Sequence, residues 1–432
     1  MKNNNQDKLE WRRLDNSAKI FPMSTGEKYS TVFRVSVLLK EKVIPVILEE
    51  ALSETLEKYK SFKVKLRAGF FWYYLEQNTK NPTVEEEKDY PCKYIDPKKN
   101  NDYLFKVTYF ENKVNIDIFH ALTDGNSGSA FFREIIYTYL EKCYKNDLKP
   151  ENRLIRKIEY NTEDSYMKNY DKKAKSNESK KRAYELKGKK IKLGAISAIH
   201  EIIDLEDLKK ECAKYNVTVT QYLTAVLIYV IYNQNYINNK GKKPIKVCIP
   251  VNLRKYFPSK TMSNFFSYIT LVAKMNRREL DEFEGIIEFV KNEFERRLTE
   301  EEIIKTMSAN VKLGNNPFII IIPLPLKNVI VRLSYLEIRK HSTITYSNTG
   351  RIGIIGDYKK YIDYFLLLIA PDSVEKIKCS SCTFENKIVF TFTSILDDNK
   401  IEKTFYEFLK DRGINVSIES NGVLDDISTK IK

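Results

Sequence analysis

From Asn146 to Leu193 the hydrophobic periodicity of this chain fades and charge takes over. On either side of that interval, stretches with a strand period alternate with stretches of helical period. A chain patterned in this way buries its apolar faces by laying helices on sheets, once before the interval and once after it. With 432 residues, 42% of them hydrophobic, there is enough apolar surface for two such cores. The expected fold class is therefore α/β (α+β) in two lobes. Residues 1–150 form the first lobe, 151–195 a charged linker or crossover, and 196–432 the second lobe.

In the first part, Tyr29–Leu39 reads as a strand and Val43–Tyr59 as a helix with Pro45 in its first turn. Phe62–Leu75 reads as two strands joined near Gly69, and Leu104–Phe110 with Val114–His120 as a hairpin. Phe132, Ile136, Tyr139, Leu140 and Cys143 then share one helical face. In the second part, strands are expected near Ile196–Ile203, Ile245–Pro250, Phe265–Val272, Thr343–Tyr346, Tyr361–Ile369 and Lys387–Ser394. Helices are expected at Leu205–Tyr215, Thr220–Tyr232, Leu280–Leu298, Glu300–Lys312 and Ile401–Lys410.

The net charge of +15 invites a nucleic-acid reading. Within Lys168–Lys192, however, eleven basic residues face only Asp171, Glu178 and Glu185, so over half of the surplus sits in one polar stretch. Tyr170 and Tyr184 are its only aromatics, too few to stack bases, and no nucleic-acid partner is expected. The apolar run Phe318–Leu326 is broken by Pro323 and Pro325 and falls short of the ~20 residues a membrane span needs. The N-terminus lacks the apolar region of a secretory signal, so the expected location is the cytoplasm, with reduced thiols. Cys379 and Cys382 form a lone C-x-x-C with no second pair and no histidine at finger spacing, and a strand would point positions i and i+3 to opposite faces; no metal site is expected there.

Only three histidines occur: His120, His200 and His341. His200 lies inside a strand-like run, and His341 stands among Arg339 and Lys340. His120 differs from both. It ends the strand Val114–His120, on the face shared by Val114, Ile116 and Ile118, where Ala121-Leu122-Thr123-Asp124-Gly125-Asn126-Ser127-Gly128 turns the chain into a helix. An imidazole held at such a junction suits a general base, and it equally suits a core histidine bonded to backbone.

His120-Ala121-Leu122-Thr123-Asp124-Gly125 resembles the H-x-x-x-D-G motif of the chloramphenicol acetyltransferase-like, coenzyme A-dependent acyltransferase superfamily. Cys248-Ile249-Pro250-Val251-Asn252-Leu253-Arg254 resembles its strand-Pro-Val-x-x-Arg segment, and Ser263-Asn264-Phe265-Phe266 the small-Asn-Phe segment that follows. The closest likeness is to the bacterial alcohol acetyltransferase-like branch. Phe119 stands where condensation domains carry a second histidine, and the Asp-Phe-Gly-Trp-Gly segment of the plant branch is missing.

The resemblance implies a two-lobed fold with the site at the lobe interface, and transfer of an acetyl or other short acyl group from acyl-CoA to an alcohol or amine. It implies His120 as catalytic base, Asp124 as a structural carboxylate paired with Arg254, and Gly125 as the residue keeping the pantetheine path clear. Asn264, Ser347 and Asn348 are the candidate oxyanion donors. Acyl-CoA is a co-substrate, no tightly bound cofactor or metal is implied, and the expected state is a monomer. Carrier-protein-dependent condensation and a non-catalytic binding role on the same fold are the alternatives. A tunnel between the lobes is expected, with cations near one mouth; Lys168–Lys192 is one source for them, although its first reading is a solvated linker.

Overall fold

The computed structural model describes residues 10–27, 30–148, 161–174, 181–237, 242–274, 280 and 282–424. Parts of the charged interval, and of Lys168–Lys192, lie outside the described residues.

The first sheet has five strands in the order Ile362–Ile369, Val32–Leu39, Lys113–Phe119, Phe105–Phe110 and Val84–Glu86. The hairpin expected around Glu111-Asn112 is present, with Phe105 opposite Ile118 and Phe110 opposite Lys113. The helices Pro45–Lys58 and Gly125–Cys143 pack against each other beside this sheet, the first entered through a proline at its start. Their buried residues, among them Leu48, Leu52, Leu56, Phe131, Phe132, Ile135 and Ile136, share one core with Val35, Val37, Ile116 and Ile118.

The second sheet has seven strands: Phe266–Ala273, Ile245–Asn252, Ile344–Arg351, Ile377–Phe384, Lys387–Ser394, Ser197–Asp204 and Val416–Ser420, in that order. Helices Leu205–Lys214, Val219–Ile231, Phe283–Arg297 and Lys400–Asp411 contribute to its core. Val219–Ile231 opens with a capping box, in which Thr218 Oγ1 accepts from Gln221 N while Gln221 Oε1 accepts from Thr218 N. A small third sheet pairs Trp11–Arg13, Tyr73–Gln77 and Val64–Ala68.

The sheets do not divide the chain at 151–195. The strand Ile362–Ile369, expected in the second lobe, is an edge strand of the first sheet, antiparallel to Val32–Leu39. It also lies across Ile377–Phe384 and Lys387–Ser394, whose polar side chains bond its carbonyls. Thr393 Oγ1 donates to Ile369 O (2.6 Å), Cys382 Sγ to Phe365 O (3.2 Å) and Ser380 Oγ to Leu367 O. One strand thus closes one sheet and seats the other. Cys379 and Cys382 do point to opposite faces, the first into the second-lobe core and the second toward the crossing strand.

Candidate active site

The strand Lys113–Phe119 is central and buried on both faces. Val114, Ile116 and Ile118 fill the core, while Asp117 on the opposite face is held by Arg34, with Nε 2.9 Å and Nη2 2.6 Å from its carboxylate. His120 follows at the strand's end, its N–H donating to Thr31 O (3.1 Å). The imidazole stacks on Phe21 (centroids 4.6 Å apart, planes at 17°), with Phe33 and Phe266 each 5.2 Å away. This setting disfavours an imidazolium: burial pushes the His120 pKa below its ordinary value, against a smaller opposing pull from Asp124.

Asn264 determines which ring nitrogen carries the proton. Its amide nitrogen lies 3.0 Å from Asp15 Oδ2 and 3.1 Å from His120 O, so both amide hydrogens are committed to acceptors. The opposite flip would set the amide oxygen against a carboxylate and a carbonyl. Asn264 Oδ1 therefore faces His120 Nδ1 at 3.0 Å and accepts from it. The proton sits on Nδ1, and Nε2 keeps its lone pair on the other edge of the ring. Asp15 is buried, accepts also from Asn264 N (3.1 Å) and Ala18 N (2.8 Å), and burial raises its pKa to about 6. Asn264 is thus a poor oxyanion donor, contrary to expectation, because no amide hydrogen is left for one.

Asp124 makes three connections at once. Oδ1 accepts from Ser127 N (3.0 Å) and caps the helix Gly125–Cys143. Oδ2 accepts from Arg254 Nη1 (2.7 Å) and from Phe265 N (2.8 Å), both in the second lobe. The remaining guanidinium hydrogens go to Thr261 O, Ser263 O and Ser127 Oγ at 2.9, 2.7 and 3.1 Å. The carboxylate ties the motif turn to the other lobe.

His120, Asp124 and Gly125 line a cavity of about 620 Å³, within the range of ligand pockets, whose walls come from both lobes. Phe21, Thr31 and Phe33 contribute from the first lobe, and Cys248, Pro250, Tyr268, Ser347 and Asn348 from the second. Asn348 donates to Thr220 Oγ1 (2.9 Å) and accepts from Gly350 N (2.7 Å), which leaves one amide hydrogen. Among the described residues Ser347 Oγ has no hydrogen-bond partner. A Cβ on Gly125 would meet only Thr349 Cγ2, at 3.5 Å, so the glycine leaves cavity space open. No described residue of Lys168–Lys192 lines the cavity; its cations are Lys246, Arg297, Arg339 and Lys378. Sequence reasoning missed these, although Lys246 inside a strand-like run was a usable signal. It also missed Asp15, whose local signature is only a short cap before Ala18.

The two-lobed fold, the interlobe cavity and the histidine at the motif turn are the features that the resemblance to the chloramphenicol acetyltransferase-like superfamily implied. More particularly, residues 163–311 match the alcohol acetyltransferase family model. Solved structures with the same fold include F. graminearum TRI101 complexed with coenzyme A and deoxynivalenol, at 12% identity and TM-score 0.64, covering 94% of this chain and 99% of that one. Polyketide synthase associated protein 5 from Mycobacterium tuberculosis aligns at 12% identity and TM-score 0.58, over 92% and 97% of the two chains. TRI3 trichothecene 15-O-acetyltransferase from Fusarium sporotrichioides aligns at 8% and 0.59, over 93% and 94%. No curated protein matches the chain by sequence.

Proposed function

We propose that this protein transfers an acetyl or other short acyl group from acyl-CoA to the hydroxyl of a small alcohol, with His120 as general base. The observation that carries this reading is the hydrogen bond from His120 Nδ1 to Asn264, which leaves a neutral imidazole with a basic Nε2 on a residue that lines the interlobe cavity. The alcohol's proton passes to Nε2 as its oxygen bonds to the thioester carbon. The tetrahedral oxyanion then collapses, the C–S bond breaks, and the departing thiolate takes the proton back from Nε2. Ser347 and Asn348 offer donors for the oxyanion, and Lys246 brings cationic charge to the cavity wall for an anionic co-substrate, whereas Arg297 is matched by Glu293 and Lys378 by Asp372 and Glu375.

Neighbouring structures that hold coenzyme A, one of them together with deoxynivalenol, support a cavity that accepts two substrates. The reading includes a monomer, since both halves of the site come from one chain, acting in the cytoplasm. Thiol release from short and long acyl-CoAs against a panel of alcohols and amines tests it. His120→Ala should keep the fold and lose ~10²–10⁴-fold in rate. Wild-type turnover by the folded variant would refute the mechanism.

A further inference from the structure

The helix Leu324–Arg339 packs the wrong way round for a core helix. Its buried residues are Leu324 and Lys327, while Leu326, Val329, Ile330 and Leu333 stand 62%, 58%, 50% and 64% exposed. Those four positions follow i, i+3, i+4 and i+7, which is one continuous stripe. The exposed surface continues onto the preceding turn, with Phe318 at 78% and Ile321 at 66%, and onto the hairpin tip at Phe70, 73% exposed. The tip is fastened to the helix by Leu324 N donating to Phe70 O (2.9 Å) and Lys327 Nζ to Phe71 O (2.8 Å). An apolar surface this continuous marks an interaction site.

What borders the stripe identifies its partner. A groove beside it holds both tryptophans of the chain, Trp11 and Trp72, with Arg13 and Lys19 in its wall. Lys19 Nζ and Lys327 Nζ lie 5.5 and 3.6 Å from the Trp72 ring. Glu76, the carboxylate of that wall, is matched by Lys65 and Arg67, each 3.1 Å away. Apolar stripe, interfacial tryptophans and surplus cations are the combination that rests in a lipid headgroup region. Among the described residues no helix is long and apolar enough to cross a membrane, so the contact is a surface one. We propose that this face docks the protein on an anionic phospholipid surface, the stripe entering the acyl boundary and Arg13 and Lys19 meeting headgroup phosphates.

The test is flotation of the full chain with vesicles of phosphatidylcholine alone, or of equal parts phosphatidylcholine and phosphatidylglycerol. The protein should float with the mixed vesicles at least about tenfold better than with the neutral ones. Emission from Trp11 and Trp72 should move to shorter wavelength on the mixed vesicles alone. A Phe318→Glu, Leu333→Glu variant should lose about tenfold or more of that partition, while its CoA release with water-soluble substrates stays unchanged. The proposal fails if the wild type does not float, if neutral vesicles serve equally well, or if the variant floats like the wild type. It also fails if light scattering shows a dimer that the variant breaks, which would assign the face to a second copy.

Discussion

His120 takes its tautomer from Asn264, and Asn264 takes its orientation from Asp15, so the nitrogen of the proposed base is set two residues away from itself. Asn264→Ala should leave a folded protein whose imidazole turns freely, with kcat reduced by on the order of 10²-fold, the scale of a small misplacement of a reacting group. Normal kcat in that variant would remove Asn264 from the chemistry. The proposed base also has a definite pH signature. Burial disfavours the charged ring, so protonation is delayed on acidification and the base stays active below the ordinary histidine pKa of ~6.5. The acid limb of kcat/KM should accordingly fall below that value, and a limb at or above it would contradict the assignment. His120, Asp124 and Gly125 were legible because their motif is short and contiguous. Asp15 was not, because the contact that gives it meaning spans 249 residues of sequence.

At the scale of elements, the two glycines of the motif turn do different work. A Cβ on Gly128 would stand 2.8 Å from Ile118 Cδ1 and 3.1 Å from Phe33 Cζ, so this glycine lets the helix Gly125–Cys143 lie against its sheet. Gly128→Ala should cost ~1–3 kcal/mol by urea denaturation, the scale of overpacking a core. Gly125→Ala should fold normally and impair catalysis instead, since its Cβ enters the cavity. Equal destabilisation by both would show that neither reading is right. Element type was readable wherever periodicity was strong, as at Lys387–Ser394, whose bounds were anticipated. Ile377–Phe384 went unread because Lys378, Ser380, Ser381 and Thr383 look like a loop, whereas in the fold Ser380 bonds the crossing strand and Ser381 meets Tyr346 OH at 2.8 Å. Leu324–Arg339 went unread because its two prolines suggested a break, yet both are tolerated at a helix start.

For the molecule as a whole, two observations govern stability. The Asp124–Arg254 pair joins the lobes where both side chains are largely buried, and Asp124→Asn leaves the guanidinium without its carboxylate. A loss of ~3–5 kcal/mol is expected, together with loss of activity, and unchanged denaturation would show the lobes to be held elsewhere. Glu201 and Glu402 are buried, and their carboxyl oxygens have no hydrogen-bond partners among the described residues. Burial raises both pKa values, that of Glu402 to about 8. Because the folded value lies above the unfolded one, the native state binds more protons between ~4.3 and about 8, so their contribution is present in acid and lost as pH rises through that window. Glu402→Gln should flatten the fall in stability across those pH values, and an unaltered profile would remove the residue from the account.

The route of Ile362–Ile369 also bears on how such a chain can be recombined. A fragment ending near residue 150 lacks the strand that borders Val32–Leu39, and leaves that edge open to pair with other chains. A single-breakpoint chimera at the charged interval would pair one parent's sheet with the other parent's edge. Exchange of lobes between relatives therefore calls for a discontinuous graft, in which residues 362–369 travel with the first lobe.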